Sequence, residues 1–337
     1  MNETFFKDGG AAVSEKAKLK GLRRTSCNIG IALFVYNLVS YASMHLFAVL
    51  AKWFIISFTK LNAHEVLNSS SFRWLAVLLC QDGAGVLAFW IVSRFSKPTV
   101  LKSAPKKRIT FEGGCAIFVL CIAIMQIGSY ISAFLSDIAE NIRGVPLENE
   151  LSSLVFESNI FLVLIMAVII GPIIEEFIYR KFIITHLRVY GEKFALVCSA
   201  ALFALAHGNF YQVFYSFGVG LVFGYLYIKT NDIKINIFYH MAVNFTGTVV
   251  PFLFMRAGVT DAGVSGVRMI FNLMYLFLLF ILTGAGILFA FLYAKKISFK
   301  KMPFDDISAR KRIFAFVFNI GMILTFLTIA VNFAMSF

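Results

Sequence analysis

The stretch from Phe161 to Lys181, FLVLIMAVIIGPIIEEFIYRK, decides what kind of chain this is. It opens on an uncharged run, and then two adjacent glutamates arrive, Glu175 and Glu176, with Arg180 four residues behind the second. With its flanks, the run approaches the ~20 residues needed to cross the hydrocarbon of a bilayer. A charged side chain in such a segment costs about 2.5–3.5 kcal/mol on insertion scales, so it calls for a partner or a task.

The rest of the chain repeats the first half of this pattern. Its 337 residues are 59% hydrophobic and 16% aromatic, with 39 Phe and a mean hydropathy of +0.81. Long, nearly uncharged runs fall at 28–56, 74–95, 114–136, 159–181, 194–208, 210–228, 233–255, 267–294 and 313–336. The expected fold is all-α: a polytopic transmembrane helical bundle of eight or nine spans. The chain divides into a basic cytoplasmic N-terminal segment (1–27), three N-terminal spans with an outer loop (28–158), a four-span core (159–255) and C-terminal spans (256–337). The first apolar run is too long for a signal-peptide core and lacks a small-residue cleavage site, so it is expected to be a retained span. So many spans leave no room for a separate soluble catalytic domain, and chemistry belongs in the membrane or at its rim.

The net charge of +13 has a similar explanation. With the N-terminus inside and the spans alternating, segments 1–27, 94–113, 181–193, 229–234 and 295–312 fall inside and hold 24 of the 31 Lys and Arg. The outside segments and span rims hold six, and Arg180 is the last. This asymmetry orients the chain in the membrane, aided by anionic lipid, and requires no nucleic-acid partner. The acidic loop 137–158 falls outside. The five cysteines show no CxxC spacing and sit mostly in apolar runs, which argues against a disulfide framework or a thiolate metal site. Ser216, Gly220 and Gly224, four apart, form a small-residue stripe that suits close helix packing.

Four polar features stand in the apolar runs: Glu175/Glu176/Arg180, His207, His240 with Asn244, and Asp82 with Gln81. On a regular helix Glu176 and Arg180 lie within about 40° of each other and make an i,i+4 ion pair, whereas Glu175 is turned about 100° away. Regular helical geometry therefore leaves Glu175 without a partner on its own helix. Gly171-Pro172, just upstream, frees a backbone carbonyl one turn earlier and can kink the helix. His207 closes the run VCSAALFALAHGN with Phe203 one turn before it, and His240 and Asn244 share a face in IFYHMAVNFTG. At ~1.5 Å rise per residue, Glu175 lies about 10–15 Å into its span, His240 about 10 Å and His207 about 20 Å.

A carboxylate, two imidazoles and a carboxamide suit the activation of water against a carbonyl. Glu175 can take the water proton. The imidazoles can orient the water, hold a metal that acidifies it or donate to the oxyanion, and Asn244 can donate or steer His240. GxSxG and HExxH are both absent from the sequence.

EExxxR (Glu175, Glu176, Arg180), FxxxH (Phe203, His207) and HxxxN (His240, Asn244), in this order on three successive apolar segments, resemble the CPBP intramembrane proteases. This is the CAAX prenyl protease and bacteriocin-processing group, also called Abi. The resemblance covers about 171–250 and implies an intramembrane endopeptidase whose helices enclose a catalytic cavity. It places Glu175, His207, His240 and Asn244 as catalytic residues, with Glu176, Arg180 and Phe203 in support. It also implies a metalloprotease, with Zn2+ or another divalent ion on Glu175, His207 and His240, while a metal-free mechanism stays open. The substrate is expected to be a CAAX-type C-terminus, a leader peptide or a membrane protein, cut near the inner face of a bacterial cell membrane. Lipid is the only other expected partner. Two other readings stand beside this one. The first is a scaffold or bacteriocin-immunity protein that keeps the motif for packing. The second is a transporter, suggested by Asp82 and His45.

Overall fold

The computed structural model describes residues 13–97, 108–145, 150–256, 259–260, 263–264 and 266–335. Parts of the basic N-terminal segment (1–12), of segment 94–113, expected inside, and of the acidic loop 137–158, expected outside, lie outside the described residues.

The described chain is helical apart from one two-residue antiparallel pairing, Val259–Thr260 with Gly263–Val264. Among the described residues, seven helices are long and apolar enough to cross a membrane: Glu15–Phe58, Ser70–Ser93, Phe111–Arg143, Ile160–Tyr190, Phe210–Thr230, Ile233–Phe254 and Met269–Ala294. An eighth span arises if Ala309–Val317 and Ile320–Met335, bent by 72° at their junction, are taken together. The count is therefore seven or eight where the hydropathy runs suggested as many as nine. The difference lies in Glu192–Ala206, which has only 15 residues. At 1.5 Å per residue it reaches about 22 Å, short of the ~30 Å hydrocarbon thickness.

Polar residues in the connections end the helices. Thr110 caps the Phe111–Arg143 helix by accepting from the Gly113 amide at 3.2 Å, and Gly144 closes it in the left-handed conformation at φ 73°. Asn209 caps Phe210–Thr230 by accepting from the Gln212 amide at 3.0 Å, and Asp232 caps the next helix. These caps take up amides that no helix partner can satisfy.

Two compact units share the chain, and the segments Ile160–Tyr190 and Glu192–Ala206 each contribute residues to both. One comprises Met1–Ala104, Ile178–Cys198 and Phe299–Met335; the other comprises Pro105–Phe177, Ser199–Ser298 and the last two residues. In the first unit the long N-terminal helix packs on the bent C-terminal pair. A Cβ on Gly321 would stand 2.0 Å from the Cys27 carbonyl oxygen, so the two backbones touch at that point. Thr325 Oγ1 donates to the Gly30 carbonyl at 2.7 Å, and Asn37 Nδ2 reaches Thr328 Oγ1 at 3.3 Å. Small residues bring the helices close, and hydrogen bonds then hold them in a medium that supplies no competing water.

In the second unit the Phe111–Arg143 helix is central. Its Gly128 lies against the backbone of Tyr215, and the Val119 carbonyl of the same helix lies against Gly286. Cys121, Val219, Phe223 and Val243 form its buried core. Ser216 and Gly220 of the small-residue stripe are both buried, and a Cβ on Gly220 would meet Phe203 at 3.1 Å and Ala200 at 3.3 Å. The stripe thus serves packing, as expected.

Gly321→Ala should lower the melting temperature of the detergent-solubilised protein, by the ~1–3 kcal/mol typical of overpacking or more. Gly284→Ala, where nothing lies within 4 Å of the added Cβ, is the control and should lose nothing.

Candidate active site

The site begins with an irregular helix. In Ile160–Tyr190, Leu164–Ile170 and Glu176–Ile184 run in wide π turns. The Gly171 amide accordingly donates to the Met166 carbonyl, five residues back. In that register the next amide would face Ala167, but residue 172 is proline and has no N–H. Asn244 makes good the loss by donating its Nδ2 to the Ala167 carbonyl at 2.9 Å. The freed carbonyl expected from Gly171-Pro172 is therefore present, and its partner is the amide of HxxxN. This bond ties the Ile233–Phe254 helix to the turn that presents the glutamates.

Both glutamates reach the same imidazole. Glu176 Oε1 lies 2.9 Å from His240 Nδ1, and Glu175 Oε2 lies 3.4 Å from His240 Nε2. Glu176 is completely buried and His240 is 3% exposed, whereas the Glu175 side chain is 33% exposed. The regular-helix argument left Glu175 alone to face the histidines. The structure corrects that, because Glu176 makes the shorter and more deeply buried contact. The wide turn that starts at Glu176 breaks the uniform 100° step on which the argument rested. Arg180 is fully buried further along the same helix.

A second amide, not anticipated from the sequence, completes the grip on Glu176. Asn236 Nδ2 donates to Glu176 Oε2 at 3.1 Å and to the Phe223 carbonyl at 2.7 Å. Asn236, His240 and Asn244 are spaced four apart and share one helix face, so the signal was an NxxxHxxxN pattern of which only the second half was read. With Asn236 on one oxygen and the imidazole on the other, Glu176 accepts at both, and His240 donates from Nδ1.

His207 is placed by its own helix end: its Nδ1 donates to the Phe203 carbonyl at 2.9 Å. Gly208, at φ 66°, then turns the chain, and Asn209 Nδ2 donates to the His207 carbonyl at 2.9 Å. The Phe203 ring stands edge-on to both imidazoles, its centroid 5.0 Å from His207 and 5.8 Å from His240. Phe223 closes the other side of His240 at 5.0 Å. The aromatic residue of FxxxH is thus a wall shared by the two histidines.

Among the described residues, no three His, Cys, Asp or Glu side chains are arranged to hold a metal ion. Both ring nitrogens of His240 face carboxylates, and His207 commits Nδ1 to a backbone carbonyl. A histidine that spends Nδ1 on an oxygen acceptor keeps Nε2 for a metal, but among the described residues no group of three side chains assembles the set that the resemblance implied. Asp82 lies in a wide turn of its own, Val77–Gly85, in the other unit, and His45 is exposed on the first helix.

Two carboxylates closing on a buried imidazole within a bundle of membrane-length helices define a membrane-embedded polar site. Residues 157–246 match the family described as Type II CAAX prenyl endopeptidase Rce1-like, and that segment contains all seven motif residues. The chain is 36% identical to the "Membrane-embedded CAAX protease MroQ" of Staphylococcus aureus (strain USA300) over 91 residues, 25% of this chain and 36% of the relative. It is 29% identical to the "Putative membrane peptidase YdiL" of Bacillus subtilis (strain 168) over 155 residues, 43% of this chain and 62% of the relative. Both matches thus cover less than two thirds of the relative's own length. No solved structure matches the chain. Over this segment the likeness read from the three motifs is borne out.

Asn244→Leu should destabilise the protein by about 1–3 kcal/mol by stripping the Ala167 carbonyl of its partner. Pro172→Ala restores an N–H in the right register, so Asn244→Leu should cost measurably less in that background. A double-mutant cycle on thermal unfolding reads the difference.

Proposed function

We propose that the chain is an intramembrane endopeptidase in which Glu175 activates water against a peptide carbonyl. The observation that carries this reading is the Glu176–His240–Glu175 alignment, inside a segment that matches the Rce1-like family.

The roles follow from the contacts. Glu176 holds the Nδ1–H of His240, as the carboxylate of a catalytic triad does, and so turns Nε2 toward Glu175. Glu175 is the more exposed carboxylate and the one that water can reach. It removes a proton from water as the water oxygen bonds to the scissile carbonyl carbon. Glu175 passes that proton to His240 Nε2, 3.4 Å away, and the resulting N–H faces the oxyanion. When the C–N bond breaks, the proton goes to the departing amine. The contact is longer than a working hydrogen bond, as is common before substrate binds. His207 keeps its proton on Nδ1, so Nε2 presents a lone pair that orients the water. Asn244 spends one amide hydrogen on Ala167 and keeps the other for the oxyanion.

The substrate class is a CAAX-type C-terminus, a leader peptide or a membrane protein. The name of the Staphylococcus relative favours the first of these. On this reading the N-terminus is cytoplasmic and the cut falls near the inner face of a bacterial cell membrane; the excess of Lys and Arg in the segments assigned inside supports the orientation.

In proteoliposomes with fluorogenic CAAX-type and leader peptides, Glu175→Gln should reduce turnover by about 10²–10⁴-fold while the protein stays folded, the range for losing a general base. His240→Ala should do at least as much. Wild-type turnover that survives Glu175→Gln would remove Glu175 from the role of base, and a wild type that cuts no peptide would support the scaffold reading.

A further inference from the structure

We infer that Asn236, which lies outside all three motifs, is a positioning residue that sets the tautomer of His240 through Glu176. The kinetic consequence rests on the peptidase reading above, but the structural consequence does not.

Asn236 has no exposed surface, and its Nδ2 lies 2.7 Å from the Phe223 carbonyl and 3.1 Å from Glu176 Oε2. A backbone carbonyl only accepts, so the end of the amide facing Phe223 must be the NH2. That removes the usual ambiguity in amide orientation. Its two hydrogens are then both spent, one on each acceptor.

The other end of the group shows what it is for. Asn236 Oδ1 is buried with no hydrogen-bond partner. A leucine would bring no unsatisfied acceptor of its own, but it would strip Glu176 Oε2 of this donor. What the amide adds is its donor, and the donor is aimed at Glu176. A donor on Oε2 keeps that oxygen an acceptor and directs Oε1 to the ring, 2.9 Å from Nδ1. The imidazole therefore carries its proton on Nδ1, and Nε2 is the nitrogen presented to Glu175. Because Asn236 and His240 are one turn apart on one helix, the donor and the ring it serves move as one body.

Removing the donor should free the ring. In protein labelled with 15N at the imidazole nitrogens of its five His, wild type should show His240 as the Nδ1–H form. In Asn236→Leu this signal should be lost or mixed. An unchanged Nδ1–H signal in a folded Asn236→Leu protein would overturn the inference, whether or not any peptide is cut. Asn236→Ala also removes the donor and adds no new hydrogen-bonding group, so it covers the case in which the leucine variant fails to fold. In the cleavage assay both variants should lose kcat by about 10- to 100-fold, as for other groups that orient a functional side chain, with KM within about twofold. Wild-type kcat in a folded Asn236→Ala protein would equally overturn the inference. If wild type cuts nothing, the peptidase reading fails and the imidazole spectra alone decide the role of Asn236.

Discussion

A carboxylate with no exposed surface, on a helix fit to span a membrane, has to find its donors inside the protein. The imidazole of His240 and the amide of Asn236, both from the Ile233–Phe254 helix, are donors to Glu176. The hydrocarbon gives no alternative, because an unsatisfied polar group there costs several kcal/mol. The requirement fixes how two helices dock and which nitrogen of His240 faces outward. Glu175, one residue away, then has a defined partner, although it keeps some exposure of its own.

The same requirement explains the irregular backbone. Wide turns and a proline leave a carbonyl at Ala167 that the helix cannot satisfy, and a side chain from the His240 helix supplies the bond. The Ile233–Phe254 helix therefore holds the glutamate segment at two levels, Asn244 on the backbone before the acids and Asn236 with His240 on the second acid. Hydrogen bonds at both levels resist sliding and rotation together, which preorganises a site that has to keep its geometry before substrate arrives. The aromatic rings of Phe203 and Phe223 pack on the imidazole and leave it little freedom to turn.

Much of this was legible in the chain because membrane insertion makes polar residues conspicuous. Glu175, Glu176, His207, His240 and Asn244 stand out in runs of Leu, Ile, Phe and Val, and helical spacing links those that share a face. The freed carbonyl was also readable, since proline lacks an N–H wherever it sits. Asn236 was passed over although it continues the His240 face by one more turn. It stands near the start of its helix, close to Asp232 and Lys234, where a polar residue looks interfacial. The helix Glu192–Ala206 is shorter than the other apolar helices although its hydropathy matches theirs, because hydropathy measures composition and not length.

By itself, the sequence determined the helical membrane class, the residues too polar to be left unsatisfied and the order in which they come. It did not determine how they pair. Which oxygen meets which nitrogen depends on partners 60 and 64 residues apart and on wide turns that depart from regular helical phase. The regular-helix rule assigned one glutamate to the histidines. The tertiary structure brought both to a single ring, because only docking against a second helix decides where each long side chain ends.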